Sequence, residues 1–287
     1  MSDRYEKIVS WLFSTRAIQV AQPDQPYWYT SGTLGPYYIN THYLYGDQDS
    51  ACHLLEEIEK ALAEPLFLPQ RVAGLTQIQY QTNDIFRSLM DLVAASAVEY
   101  DFDVISGGER RDFFFSIQAA RLLNKPHLSI LKDGRSIISD KDFTETKWTN
   151  PNELRGLRVF HIADLVTEAS SYIRTWIPVI KSLGCSIENT LSIVDRRQGG
   201  ADVLESEGVS LTSLINIDDK LFEKAVENNL MTDSQREQIT LFMLDPHLYM
   251  KTFLRNHPDF LQNQLQQGGK AAERAKLCLE LGYGKAE

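Results

Sequence analysis

The sequence predicts an α/β protein: a mostly parallel sheet with helices on both faces, a small aromatic segment near the N-terminus and a helical C-terminal tail. Three observations predict it. Between about residues 71 and 215, short apolar runs alternate with stretches whose apolar residues recur at helical spacing, as in a parallel sheet joined by crossover helices. The run at 157–162 is apolar apart from Arg158 and His161, as in a strand covered on both faces. Beyond residue 217 the chain is rich in helix formers, with breaks at Asp245-Pro246, His257-Pro258 and Gly268-Gly269.

In chain order, residues 4–20 read as a helix with Ile8, Trp11, Leu12 and Phe13 apolar. Residues 22–45 are rich in Pro, Gly, Tyr and Trp and read as short strands around a turn at Ser31 and Gly32, most of the rings packing as an aromatic hairpin. Residues 50–64 and 84–99 are helical by spacing, the second with a core stripe of Ile85, Leu89, Leu92, Val93 and Val98. Between them, 71–78 reads as a strand. Residues 101–108 read as a strand ending in small residues, followed by Glu109, Arg110, Arg111 and Asp112 and a helix through Leu123. Residues 127–132 form a further strand, and Arg135, Lys141 and Lys147 after it are expected on a surface loop.

After the run at 157–162 come Ala163 and Asp164, a turn at 167–171, and a helix carrying Ile173, Trp176, Ile177, Ile180 and Leu183. Residues 187–195 are a strand, followed by Arg196, Arg197, Gln198, Gly199 and Gly200, a short helix, and a strand at 209–215. In the tail, Leu241, Phe242, Leu244, Leu248, Phe253 and Leu254 are spaced for helices that pack on something.

The chain has 287 residues, 43% hydrophobic and 24% charged, enough for one large domain or a domain with an appendage. The division expected is 1–217, including the aromatic segment at about 22–45, and 218–287. A net charge of -10 argues against general nucleic-acid binding, which needs a basic surface. Cys52, Cys185 and Cys278 are far apart and form no metal spacing or disulfide framework, so a reducing cytoplasm is expected. The start shows no signal-peptide core and no apolar run approaches the ~18 residues of a membrane span, so no membrane role is expected.

The chemistry concentrates where the run at 157–162 hands over to its helix. In open α/β sheets ligands sit at strand C-terminal ends, and free N–H groups at a helix start bind phosphate. Here Asp164, the apolar pair Leu165 and Val166, Thr167, and the hydroxyls of Ser170 and Ser171 resemble the phosphoribosyl-diphosphate (PRPP) loop of type I phosphoribosyltransferases. Ala163 stands where that motif has its first acid, and Glu168 and Ala169 occupy the middle of its phosphate loop.

Other stretches resemble the orotate phosphoribosyltransferases of that family. The run from Ser31 through Pro36, Tyr37, Tyr38, Ile39 and Asn40 resembles their N-terminal hood, which forms part of the base pocket. Arg111 falls at their diphosphate-contacting lysine. Lys132 matches the lysine of an Arg-Lys pair whose arginine is here Leu131, and the catalytic loop that follows in the family does not match. Residues 194–215, opening V-D-R-R-Q-G-G, resemble their C-terminal signature and place Arg196 at the arginine that reads the orotate carboxylate. On the residues alone, 109–112 also reads as a solvated charge cluster, and Asp195 with Arg196 as a local ion pair.

The resemblance implies transfer of a ribosyl phosphate from PRPP to a pyrimidine-type base, orotate, with release of diphosphate. It implies that Thr167, Ser170 and Ser171 hold the 5'-phosphate and that Asp164 accepts from a ribose hydroxyl. Lys132 and Arg111 would face a diphosphate that carries Mg2+, Arg196 and Thr167 would address the base, and Tyr38 would belong to its pocket. A homodimer is implied as well, and the protein itself is expected to supply no metal ligand set. The departures at Ala163, Glu168 and Ala169 keep a second reading beside the enzyme: a catalytically impaired module of the same fold that binds a nucleotide or phosphate ligand in a regulatory role.

Overall fold

The computed structural model describes residues 2–283. Helix α1 (Ser2–Ser14) leads into four short strands, β1 (Ile18–Val20), β2 (Tyr27–Trp28), β3 (Leu34–Gly35) and β4 (Tyr37–Ile39). A 3-10 turn (Thr41–Tyr45) precedes helices α2 (Gln48–Ala61), α3 (Leu68–Thr82) and α4 (Asp84–Ala97). Then come β5 (Val104–Gly108), α5 (Phe113–Leu122), β6 (His127–Ile130), β7 (Ser136–Ser139), β8 (Thr146–Trp148) and β9 (Arg158–Val166). A π-helical turn (Tyr172–Trp176) opens α6 (Ile177–Ser182), followed by β10 (Ser186–Asp195), α7 (Gly200–Ser206) and β11 (Ser210–Asn216). The tail is α8 (Asp219–Glu227), α9 (Asp233–Leu244), α10 (Pro246–Asn256), α11 (Phe260–Gln267) and α12 (Gly269–Glu280).

Two compact units emerge: Met1–Ala17 with Thr41–Asp218, and Ile18–Asn40 with Asp219–Glu287. The first holds a seven-stranded sheet in the order β11-β10-β9-β5-β6-β7-β8. Its first five strands are parallel, and β7 and β8 extend the edge antiparallel. Strands β5 and β6 are buried at every residue, which requires cover on both faces. On one face Ile177, Ile180, Leu183 and Leu204 pack on Val104, Leu128, Ile130 and Val159. On the other, α5 packs against β5, β6 and β9, with α3 and α4 behind it.

The second unit joins the aromatic strands to the tail. Gly32 N–H donates to Tyr29 O (3.1 Å) at φ +79°, and a Cβ on Gly35 would sit inside the Tyr29 ring, so these two glycines set the hairpin. Leu34 N–H donates to Met250 Sδ (3.1 Å), Trp28 Nε1 to Gln264 Oε1 (2.8 Å), and Gln235 Nε2 to Ala21 O (3.0 Å). The tail stripe that the sequence predicts is borne out in part: Phe242, Phe253 and Leu254 are buried, Phe242 against Tyr29 and Tyr37, while Leu244 and Leu248 are exposed.

Three expectations are corrected. Residues 71–78 lie in α3, not in a strand: Leu68, Val72 and Thr76 fall four apart and are buried, while Arg71, Gly74 and Ile78 face outward. The first helix ends at Ser14; Arg16 turns left-handed (φ +61°) and Ile18 begins a strand paired with Ile39. After β6, Arg135 and Lys141 lie exposed in turns, as expected, but the segment around them is the hairpin β7–β8, closed by Asp140 Oδ1, which accepts from the N–H of Thr144 (2.8 Å) and Glu145 (2.9 Å), and anchored by buried Phe143. Lys147 is exposed on β8 and pairs with Glu153 (2.6 Å). No helix among the described residues is long and apolar enough to cross a membrane.

Candidate functional site

Strands β5, β6 and β9 end together at one edge of the sheet, where a cleft of about 1040 Å³ opens. Small residues bring its walls close. A Cβ on Gly107 would meet Ser116 Oγ at 2.1 Å, and one on Gly108 would meet the Trp176 ring. The glycine pair at the end of β5 is therefore a packing requirement, seating α5 and the π turn against the strand.

After β9 the chain turns through residues 167–171. Ala169 adopts φ +54°, a conformation that favours glycine, and is itself buried. The loop keeps the backbone path of a glycine-containing turn without the glycine. Among the described hydrogen bonds, no side chain caps its amides, and Ser171 forms no side-chain cap on the π turn. Glu168, in the same loop, is exposed.

Six residues singled out by sequence line this cleft: Arg111, Lys132, Asp164, Thr167, Ser170 and Ser171. Arg111 and Lys132 are exposed, and Lys132 is fixed at its backbone, whose N–H donates to Glu109 Oε2 (3.0 Å). Leu131 is 2% exposed, a core position rather than a ligand position. Residues 109–112 do more than form a solvated cluster: Arg110 pairs with Glu59, while Asp112 turns inward.

Arg196 is not on the cleft lining. Its N–H donates to Val166 O (2.9 Å), and its Nε is buried without a hydrogen-bond partner among the described residues. The local ion pair at this turn belongs to Asp195 and Arg197 (4.0 Å), and Asp195 Oδ1 accepts from Arg197 N–H (2.8 Å). Tyr38 belongs to the second unit, where its hydroxyl donates to Trp28 O (2.5 Å) and its ring lies between Tyr27 and Tyr29.

The structure adds groups that sequence reasoning missed. Asp112, 7% exposed at the start of α5, does not cap its own helix. Instead Oδ2 accepts from Gly108 N–H (3.0 Å) and Oδ1 from Asp164 N–H (2.9 Å). Burial and the charge of Asp112 hold the Asp164 carboxyl well above the usual carboxylate range, with Arg111 opposing. His161, fully buried, has Nδ1 2.8 Å from Ser106 Oγ and Nε2 3.6 Å from Asp112 Oδ2, and its ring stacks on Trp176. Arg174 brings a further cation to the cleft, its Nε donating to Ser170 O (3.2 Å). One signal was available for His161: a polar residue in an otherwise apolar central strand. Nothing local marks Asp112 apart from its neighbours in the charged run.

No protein-family model matches the chain. An orotate phosphoribosyltransferase of Sulfolobus acidocaldarius is 25% identical over 160 residues, covering 54% of this chain and 77% of the relative. Leishmania donovani UMP synthase superposes with a TM-score of 0.56 at 16% identity, over 83% of this chain and 42% of that one, so the chain spans less than half of that structure. An orotate phosphoribosyltransferase of Francisella tularensis superposes with a TM-score of 0.50 at 11% identity, over 82% of this chain and 96% of its own. The chain has the type I phosphoribosyltransferase fold. Within that phosphoribosyltransferase fold, the loop that resembles the PRPP motif runs along the cleft at the C-terminal edge of the sheet.

Proposed function

We propose that the chain acts as an orotate phosphoribosyltransferase-like protein, transferring ribose 5-phosphate from PRPP to a pyrimidine-type base, orotate, and releasing diphosphate. The observation that carries this reading is the uncapped loop at 167–171, left-handed at Ala169 and set in a cleft with Arg111 and Lys132 on its walls. The orotate phosphoribosyltransferases among its relatives support the same direction.

In this reading the amides of 167–171 and the hydroxyls of Thr167, Ser170 and Ser171 bind the 5'-phosphate, as helix starts bind anions. Arg111 and Lys132 lie against the diphosphate, one as a planar fork and one as a point charge. Catalysis then rests on positioning and on stabilising the negative charge that grows on the leaving group as the glycosidic bond breaks. Mg2+ would be carried on the diphosphate, whose oxygens are the hard ligands that ion takes. There it would supply further neutralisation of the leaving group. Glu168 opposes the phosphate by charge, but its exposure lets water screen that repulsion.

Incubation of the full chain with PRPP, Mg2+ and orotate tests the reading. Orotidine 5'-phosphate and diphosphate are expected in equal amounts, with loss of turnover in Arg111→Ala and Lys132→Ala. Absence of both product and PRPP binding would overturn it.

A further inference from the structure

We propose that Asp112 is a positioning residue for Asp164: the two side chains act as one unit in which Asp112 is the fixed carboxylate and Asp164 meets the ligand as a neutral acid, donating its proton to Asp112 and offering its other oxygen to a ribose hydroxyl. The assignment of the ribose rests on the phosphoribosyl reading of the cleft; the protonation of the pair does not.

The geometry divides the roles. Both oxygens of Asp112 already accept backbone donors, from Asp164 at 2.9 Å and from Gly108 at 3.0 Å, and His161 Nε2 stands 3.6 Å from Oδ2. Two backbone donors hold the Asp112 carboxyl in one orientation. Asp164 lies beside it, 9% exposed on the cleft wall, with a side-chain hydrogen bond to Asp112. Two buried carboxylates in hydrogen-bond contact cannot both ionise cheaply, so one proton stays between them.

The surrounding charges favour the same assignment. Arg111, from the turn before α5, and the Leu165 N–H, which donates to the Asp164 carboxyl, oppose it, and burial together with Asp112 outweighs both. Tyr172, on the π turn, has its hydroxyl tied to Thr190 Oγ1 (2.7 Å), and burial pushes its own ionisation up. Lys132, Glu109, Glu168 and Arg174 complete the charged rim of the cleft, and Arg174 Nε is spent on Ser170 O. Ala163 leaves β9 with one acid where the resembling motif has two. Asp112 restores the pair from another element, reaching the backbone of Asp164 itself.

The test has a ligand-free arm and a ligand arm. Infrared difference spectra of wild type against Asp164→Asn, followed through a pH titration, should show a protonated carboxyl band that persists above the usual carboxylate range in the wild type and is lost in the variant. In Asp112→Asn that band should titrate away at lower pH; if this variant does not fold, the wild-type spectrum decides alone. PRPP with Mg2+ is then titrated calorimetrically. Asp164→Ala should weaken binding about tenfold or more, and Asp164→Asn, which can still donate to Asp112 and accept from a hydroxyl, should restore it to within about threefold of wild type. Wild-type affinity should fall as rising pH ionises Asp164, and the affinity of Asp164→Asn should stay flat. A wild-type band that titrates away within the usual carboxylate range, or an asparagine variant that binds as weakly as the alanine variant, overturns the proposal. PRPP bound by none of the proteins defeats the phosphoribosyl reading, while the infrared result still decides the pair.

Discussion

Two turns lie side by side at the same edge of the sheet, one after β9 and one after β10, and they solve the same backbone problem in opposite ways. Both strands are parallel neighbours that hand over to a helix, and both turns use left-handed residues: Ala169 in the first, Arg197 and Gly199 in the second. The turn after β10 has its backbone N–H groups at Arg196, Arg197 and Gly200 taken up. Asp195, 2% exposed, accepts from Arg197 N–H, and Gly200 N–H donates to Thr167 O at 3.0 Å. The turn after β9 borrows that support and leaves its own amides uncapped. A turn whose backbone donors are taken up acts as a buttress, and an open one keeps unpaired donors for an anion. The difference separates the part of this edge that holds shape from the part that the proposed function uses.

The buttress should be the costlier to disturb. Asp195→Ala strips a buried acceptor from Arg197 N–H and should destabilise the protein by about 2–3 kcal/mol in chemical denaturation. A loss below ~0.5 kcal/mol would mean that the turn stands without it. Gly200→Ala attacks the contact between the two turns, since its Cβ would sit 2.6 Å from Thr167 O and Val166 Cγ1. A cost of about 1–3 kcal/mol is expected, together with weaker PRPP binding, because the loop carbonyl has to move.

On the open side, the expected effects are smaller and depend on pH. The folded chain keeps a proton on Asp164 that the unfolded chain gives up in the usual carboxylate range. The stability this contributes is complete below that range and is lost as pH rises through the raised folded value. Asp164→Asn removes the dependence, so its melting temperature should exceed that of wild type by a margin that grows from pH 5 to pH 8, in step with the wild type's loss of proton-linked stability. A constant margin would show that Asp164 is ionised throughout. The smallest effect is expected at Ala169→Gly. Relief of a left-handed alanine, ~1–2 kcal/mol, is partly offset by the flexibility of glycine in the unfolded chain. Net stabilisation under about 1 kcal/mol is expected, and destabilisation would show that the buried methyl group outweighs the strain.

Much of the sheet could be read from the chain because buried parallel strands are written locally. Residues 101–108, 127–132, 157–162 and 187–195 are runs of strand length, and β5, β6, β9 and β10 lie on them. The residues that line the cleft followed from the same positions, since the end of a parallel strand is where its ligand loop begins. Residues 71–78 misled because a short apolar stretch with Val72, Leu75 and Ile78 suits a strand as well as a helix, and burial every fourth residue becomes visible only once α3 has a neighbour. The β7–β8 hairpin was missed because Ile137 and Ile138 are too few to mark a strand before an edge is available to pair with.

The sequence by itself determined the parallel strands of the sheet, the turn chemistry after β9 and β10 and the stock of cations and hydroxyls near them, because each depends on residues a few positions apart. The tertiary structure alone decided that Asp112 meets Asp164 across 52 positions, that His161 stands behind them, and that the aromatic strands share a unit with the tail helices. The physical reason is the range of the forces: backbone preference and hydrophobic period act along the chain, whereas the state of a buried carboxyl is set by whatever charge and dielectric the fold brings against it.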